Sequence, residues 1–175
     1  MKHLAVSAIG VDRPGIVAAV SGVLVERGCN LEDTSMSILR GHFAMMLVVA
    51  APDATEAPDL ERTLTAATAA LELVVVVRPL VEEVHRSPSG EQWTVSLYGG
   101  DRPGIVHRVS TVLAGLGANI TDLTTRVIGS DERPVYAMFI DVVAPMGAVL
   151  DAPLAALADE LGVSCTAHRA DVDVL

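Results

Sequence analysis

The sequence predicts an α+β protein made of two similar domains, each a four-stranded antiparallel sheet with two helices on one face. Two observations predict this fold class. The chain repeats itself once at a domain-sized spacing, and each copy shows the same β-α-β-β-α-β order of hydrophobic periodicity and turn residues. Hydrophobic residues make up 51% of the 175 and charged residues only 19%, so each copy has enough apolar surface for a core. This order of elements is that of the split βαβ, or ferredoxin-like, fold.

The repeat is visible without gaps over 34 residues. Residues 6–39 align with residues 95–128 at a constant offset of 89, and sixteen of these 34 pairs are identical. A period near 90 is too long for a solenoid, whose repeats run about 20–50 residues. Because a short polar stretch at 86–91 separates the copies, we predict an N-terminal domain over residues 1–86 and a C-terminal domain over residues 91–175.

Prolines and glycines define the elements of the first copy, since proline is favoured in the first helical turn and glycine just past a helix end. The elements are strand 4–10, a helix opened by Pro14 and ended by Gly28, strands 29–39 and 43–51 joined by the tight turn Arg40-Gly41, a helix opened by Pro58, and strand 73–84. The valine run 74–77 has the composition of a strand buried on both faces.

The second copy repeats these signals in the same order. Its elements are strand 92–99, a helix opened by Pro103 and ended by Gly117, strands 118–128 and 135–144, a helix opened by Pro153, and strand 163–174. Right-handed crossovers place both helices of such a unit on one face of its sheet. The other face and the edges of each sheet are then available for contacts.

Charge and cysteine content exclude several classes of function. The chain has 12 Lys+Arg and 22 Asp+Glu, a net charge of −10, which argues against direct binding of nucleic acid or of an anionic membrane. The longest apolar run, at 43–51, is far shorter than the roughly 18 residues that span a bilayer, and no small-residue cleavage site suggests a signal peptide. Two cysteines, Cys29 and Cys165, make no disulfide framework, so we expect a reducing, cytoplasmic location.

Motifs for metal, cofactor or catalytic chemistry are not found in the sequence. The five histidines form no H-x-x-x-H pair and no Cys-x-x-Cys occurs, so we expect no metal site. The sequence has no Walker A loop, no G-x-G-x-x-G fingerprint and no G-x-S-x-G elbow. We therefore expect no cofactor and no enzymatic activity.

The most informative motif is Asp-Arg-Pro-Gly-Ile-Val, which occurs at 12–17 and again at 101–106, between the first strand and first helix of each copy. A helix N-terminus exposes unpaired N–H groups and a partial positive charge, which suit a carboxylate or phosphate. Glycine at Gly15 and Gly104 lets a ligand approach the backbone closely. The start of the second strand, with Asn30 or Asn119, is expected to lie beside the loop and to supply amide donors and an acceptor.

A purely structural interpretation of these residues stays open. Aspartate caps helices and proline occupies first turns, so the block could mark only a helix start. The two asparagines could likewise be only turn residues after a helix-ending glycine. The copies also differ, since Ala18-Ala19 in the first becomes His107-Arg108 in the second.

The block, followed by Gly-x-Asn-Leu/Ile and an aspartate, closely resembles the ACT domain family, and the tandem arrangement resembles the glycine cleavage system transcriptional repressor group. This resemblance implies small regulatory domains that bind amino acids at the first strand–helix loop and the second strand, often at a domain interface. Carried over residue by residue, it implies binding roles for Asp12, Arg13, Pro14, Gly15, Ile16, Asn30, Asp101, Arg102, Pro103, Gly104, Ile105 and Asn119.

The resemblance therefore implies a non-catalytic, amino-acid-binding regulatory protein that acts allosterically through a protein partner such as a transcription factor or a metabolic enzyme. Glycine and serine are the first ligands to consider, and a homodimer is one arrangement to test. Two alternatives stay open: a detached regulatory subunit of an amino-acid or one-carbon metabolic enzyme, and a pure assembly module that binds no small ligand. Ligand binding separates the first interpretation from the assembly module, and co-purification of an enzyme identifies the regulatory subunit.

Overall fold

The computed structural model describes residues 1–80, 90–130 and 133–170. The chain separates into two compact units, Met1–His85 and Arg86–Leu175. The first unit contains β1 (Lys2–Val11), α1 (Ile16–Glu26), β2 (Asn30–Leu39), β3 (His42–Ala51), α2 (Ala57–Ala67) and β4 (Val74–Pro79). The second contains β5 (Glu91–Gly99), α3 (Ile105–Gly115), β6 (Asn119–Ser130), β7 (Arg133–Ala144), α4 (Asp151–Leu161) and β8 (Ser164–Arg169). The predicted βαββαβ order is confirmed in both copies.

Each unit has one four-stranded sheet in which every neighbouring pair is antiparallel. The strand orders are β2-β3-β1-β4 and β6-β7-β5-β8, so the fold is the predicted ferredoxin-like one. The predicted linker 86–91 falls mostly on residues outside the described parts, as do residues 81–84 and 171–174 of the predicted last strands. Among the described residues, no helix combines the length and apolar character needed to cross a membrane.

The core of each unit lies between the sheet and its two helices. Alternate residues of the central strands point to this side, as the period of two in a strand requires. In the first unit the core includes Leu4 and Val6 of β1, Leu47 and Val49 of β3, Val20 and Leu24 of α1, and Leu60 and Leu64 of α2. In the second it includes Trp93, Val95 and Leu97 of β5, Val109 and Leu113 of α3, Met138 and Ile140 of β7, and Leu154 and Leu157 of α4. The two cores repeat the sequence periodicity that defined the elements.

The expectation that the valine run 74–77 is buried on both faces is wrong. Val75 and Val77 are buried, whereas Val74 is 68% exposed and Val76 is 36% exposed. The cause is that this sheet carries helices on one face only, so side chains on its other face stay exposed, as Ile9 of the central strand β1 also shows. The open face of this sheet therefore displays apolar side chains.

The glycines predicted to end the first helix of each copy do so. After α1, the N–H of Gly28 bonds to the carbonyl of Val25 and the N–H of Cys29 to that of Leu24, with Gly28 at φ 67°. This pair of bonds is the Schellman motif, which needs a left-handed residue at C′. Gly117 repeats the arrangement after α3 at φ 71°. The hairpin turn Arg40-Gly41 also has positive φ at both residues, as a type I′ turn requires.

Candidate ligand site at the strand–helix loops

The two Asp-Arg-Pro-Gly blocks form equivalent loops, here called loop 1 (residues 12–15) and loop 2 (residues 101–104). Loop 1 connects the end of β1 to α1, and loop 2 follows β5 and leads into α3. The backbone N–H of Asp12 donates to the carbonyl of Gly41 at 2.9 Å, which joins loop 1 to the β2–β3 hairpin. Each loop thus lies at the end of its sheet where the first helix begins.

Glycine, and not aspartate, occupies the N-cap of each first helix. Gly15 has φ 95° and Gly104 has φ 92°, both left-handed, and neither helix has a side-chain cap or an acidic residue in its first turn. The carbonyl of Gly15 accepts the first helical bond, from Ala19 N at 2.9 Å, and that of Gly104 accepts one from Arg108 N at 3.0 Å. The aspartate cap of the structural interpretation is therefore not formed. The expected placement of Pro14 and Pro103 in the first helical turn is also wrong, since each precedes the N-cap.

Space and charge at these N-termini suit a small anion. A Cβ added at either glycine would meet no heavy atom within 4 Å, so the approach to the backbone is open. The first N–H groups of a helix lack intrahelical partners and carry the positive end of the helix dipole. Because no side chain caps them here, they are available to a carboxylate.

The remaining loop residues divide into exposed and buried groups. Asp12, Pro14, Asp101 and Pro103 are exposed, so their side chains face solvent around the loop. The side chains of Ile16 and Ile105 are 2% exposed and belong to the two cores. Of the predicted binding residues, these two isoleucines can offer a ligand only their backbone N–H groups.

Both predicted arginines contact the end of the second helical segment of their own unit. Arg13 Nη1 donates to the carbonyl of Ala70 at 3.2 Å, and its Nη2 pairs with the carboxylate of Glu72. Arg102 Nη1 donates to the carbonyl of Leu161 at 3.0 Å. The guanidinium groups therefore anchor the loops. That of Arg102 adds positive charge beside loop 2, whereas the charge of Arg13 is balanced by the carboxylate of Glu72.

Sequence reasoning missed the partners of these arginines. Glu72 and Leu73 pass so close to the end of β1 that a Cβ at Gly10 would lie 2.6 Å from Leu73 Cδ2. Gly99 is in the same position against Val163 in the second unit. The identity of Gly10 and Gly99 in the repeat was the available signal that another segment approaches here.

The two asparagines do not lie beside the loop of their own unit, contrary to the expectation. Asn30 of β2 lies opposite Ala50 of β3, which in turn lies opposite His3 near the start of β1. Loop 1 follows the other end of β1, where Val11 lies opposite His42. Val11 lies eight residue steps along β1 from His3, which is about 26 Å along a strand. Asn119 pairs with Val143 at the corresponding far end of the second sheet. Within a unit, α1 or α3 runs the length of the sheet between loop and asparagine.

The far end of the second sheet also carries a cavity of about 430 Å³, lined by Gln92, Thr94, Thr121, Asp141 and Val143 among others. No residue of loop 2 forms part of its wall. Thr94 Oγ1 donates to Asp141 Oδ1 at 2.9 Å, so these two polar side chains of the cavity already pair with each other.

Titratable and metal-binding groups give no sign of catalysis in the described residues. Burial raises the pKa of the Cys29 thiol, partly opposed by the charge of Arg27, and burial also raises the pKa of the Cys165 thiol. Raised thiol pKa values indicate unreactive cysteines. Within the described parts of the chain, no three His, Cys, Asp or Glu side chains are grouped to hold a metal ion.

Comparison with known proteins agrees with this architecture. The ACT domain family matches residues 2–78 and matches again at residues 93–159. The glycine cleavage system transcriptional repressor of Escherichia coli (strain K12) is 25% identical over 150 residues, covering 86% of this chain and 78% of that protein. A UPF0237 protein of Methanopyrus kandleri is 51% identical over 49 residues, which make up 28% of this chain and about half, 54%, of that relative.

A solved structure of an unknown protein from Galdieria sulphuraria has the same architecture over nearly the whole chain. Its TM-score is 0.81 at 27% identity, and the match covers 97% of this chain and 98% of that one. Each family match falls within one of the two structural units, and each unit has the βαββαβ order. The chain therefore belongs to the ACT domain family and carries two ACT domains in tandem.

Proposed function

We propose that this protein is a non-catalytic regulator that binds a small amino acid at its strand–helix loops and acts through a protein partner. The observation that carries the proposal is the uncapped helix start behind Gly15 and Gly104, which leaves N–H donors free in an ACT domain. The repressor function of the Escherichia coli relative supports a role in transcriptional control of amino-acid metabolism.

The proposed binding mode follows from the charges of a zwitterion. The ligand carboxylate accepts hydrogen bonds from the first N–H groups of α1 or α3, near Arg13 or Arg102. The ammonium faces the exposed carboxylate of Asp12 or Asp101. Glycine and serine are the first ligands to test, because the resemblance to the glycine cleavage system transcriptional repressor puts them first.

Asn30 and Asn119 remain proposed binding residues, but for a ligand held by a loop outside their own unit. Both are exposed at the start of an edge strand, β2 or β6, and lie far from the loop of their own unit. They can contact a loop-bound ligand only if it is held by another ACT domain. A homodimer, in which a second copy supplies that domain, is part of this proposal.

A protein partner is favoured over nucleic acid by surface character. The net charge is −10, which opposes phosphate contacts. The open face of the first sheet exposes several large apolar side chains, namely Ile9, Val11, Met46, Val74 and Val76. Exposed apolar patches of this kind are typical of protein interaction sites. In this proposal the protein is cytoplasmic, and the ligand has different affinities for two arrangements of the protein with its partner. Ligand binding therefore shifts the equilibrium between those arrangements.

The test is calorimetric titration of the full chain with each of the twenty amino acids, beginning with glycine and serine. Saturable heat with one or two of them supports a sensor and names the signal. Silence across the panel up to millimolar concentration contradicts ligand binding and favours the assembly module. Recovery of a metabolic enzyme with the purified protein would instead favour the regulatory-subunit alternative.

A further inference from the structure

We infer that the two loops are not equivalent: loop 2 accepts the ligand carboxylate, whereas Glu72 neutralises loop 1 from within the chain. This inference rests on the proposed function and adds the residue that decides between the loops. Glu72 is then the residue that determines which loop binds the carboxylate. Loop 2 remains available because the corresponding residue, Gly162, has no carboxylate.

At loop 1, an internal carboxylate already occupies the arginine. Arg13 forms an ion pair with Glu72 and also donates to the carbonyl of Ala70. Glu72 follows a short 3₁₀ turn at Ala69–Leu71 and has φ 54°, a left-handed conformation that is uncommon for a residue with a side chain. This backbone geometry places the Glu72 carboxylate on the loop side of the unit.

At loop 2, the corresponding position has no side chain. Gly162 immediately precedes Val163, the residue that packs on Gly99, as Glu72 precedes Leu73, which packs on Gly10. Gly162 is also left-handed, at φ 64°. A Cβ there would lie 3.7 Å from Arg102 Nη1, so a glutamate at this position would have its carboxylate beside the guanidinium.

Among the residues that the structure describes, no carboxylate neutralises the guanidinium of Arg102. Its recorded bond goes to the neutral carbonyl of Leu161, and it forms no ion pair with a carboxylate of the described residues. Loop 2 also has Arg108 in the first turn of α3, where α1 has Ala19. Arg108 pairs with Glu160, so the unpaired charge that distinguishes the loops is Arg102.

The two loops therefore differ by one elementary charge, which changes their affinity for an anion. In water, a unit charge about 4 Å from a carboxylate changes the binding constant by about fivefold. The difference falls as salt rises, since the Debye length shortens from about 10 Å at 0.1 M to about 3 Å at 1 M. Loop 2 is therefore expected to bind a carboxylate about fivefold more tightly than loop 1 at low salt.

The experiment is an NMR titration of the isotope-labelled full chain with acetate, a carboxylate without an amine, and with each of the twenty amino acids. The backbone N–H signals of Ile16 and Val17 report loop 1, and those of Ile105 and Val106 report loop 2. We expect the loop 2 signals to shift and saturate first. The loop 1 signals should need about fivefold more ligand.

Three variants test the role of the carboxylate. Glu72→Gln removes the charge and keeps the side-chain size, and it should bring loop 1 to the affinity of loop 2. Gly162→Glu should weaken loop 2 to the level of loop 1; Glu72 itself shows that the fold accepts glutamate at this left-handed position. Glu56→Gln is the matched control, since Glu56 pairs with Lys2 at the far end of β1 and its loss should change neither loop.

The outcomes separate this inference from the proposed function. Equal shifts at both loops in the native chain, or variants without effect on a loop that does bind, would overturn the inference and leave amino-acid binding intact. Shifts elsewhere, or none with acetate or any amino acid, would overturn the loop site itself and the inference with it. Binding that moves between loops as Glu72 and Gly162 are exchanged supports both.

Discussion

Arg102 Nη1 donates to the carbonyl oxygen of Leu161 at 3.0 Å, across 59 residues of sequence. Arg13 makes the equivalent bond to Ala70 at 3.2 Å. In each unit, the loop before the first helix is therefore held to the end of the second helical segment. The arginines of the repeated block thus have a structural contact as well as the proposed contact with a ligand.

The arginine anchors predict a measurable loss of stability. Arg102→Ala removes a charged donor from a carbonyl, and we expect the free energy of unfolding to fall by about 1 kcal/mol. Arg62→Ala is the control. Arg62 makes an exposed i, i+3 pair with Asp59, and the loss of such a pair should change stability by less than about 0.5 kcal/mol. Urea unfolding followed by circular dichroism measures both. Equal values for the two variants would show that the contact with Leu161 is not an anchor.

The left-handed backbone of the two N-cap glycines predicts that replacing either of them lowers the free energy of unfolding. Gly15→Ala and Gly104→Ala each add a Cβ that meets nothing within 4 Å, yet at φ 95° and 92° each should destabilise its unit by about 1–2 kcal/mol. Gly22→Ala in the middle of α1 also has open space but carries no left-handed φ, and it should stabilise by about 0.5–1 kcal/mol. Thermal and urea unfolding test the opposite signs. A stabilising Gly104→Ala would contradict the assigned cap.

The one-sided burial of β4 predicts that neighbouring valines contribute differently to stability. Val75→Ala empties a buried position and should cost about 2 kcal/mol, whereas Val74→Ala, on the open face, should cost about 0.5 kcal/mol or less. The two variants have identical chemistry and differ only in the face of β4. Similar costs at both positions would indicate that something covers the open face.

The cysteines predict slow alkylation of the folded chain. Burial raises the pKa of both thiols, so at pH 8.5 fewer are ionised than in the unfolded chain, where their pKa is ordinary. We therefore expect iodoacetamide to react with Cys29 more slowly before denaturation than after. The rate should keep rising as the pH is raised above 9. Mass spectrometry of each cysteine gives the rates, and equal rates in folded and denatured protein would contradict the burial.

The order of elements was predictable from the sequence because its signals are local. The helix-ending Gly28 and Gly117 and the turn Arg40-Gly41 depend on φ values that the residues themselves favour. The burial of β4 was not predictable from its composition. Four valines in a row fit a strand with either one or two covered faces, and only the number of layers packed on the sheet decides between them.

The candidate site was predictable in part. The repeated block correctly marked the two helix starts, since Gly15 and Gly104 take the same left-handed N-cap conformation. The placement of Asn30 was wrong because a helix of eleven residues carries the chain back along the sheet before β2 begins. Closeness in sequence between loop and asparagine thus becomes separation in space.

The sequence by itself determined the duplication, the element order and the family, because these depend on residue identity, periodicity and turn chemistry within each copy. Only the tertiary structure decided which groups meet. The pairing of Arg13 with Glu72, the empty place of Gly162 beside Arg102 and the distance from loop to asparagine all depend on contacts between segments far apart in the chain. Such contacts depend on how distant segments pack together in the folded unit, which the pattern of any one element does not encode.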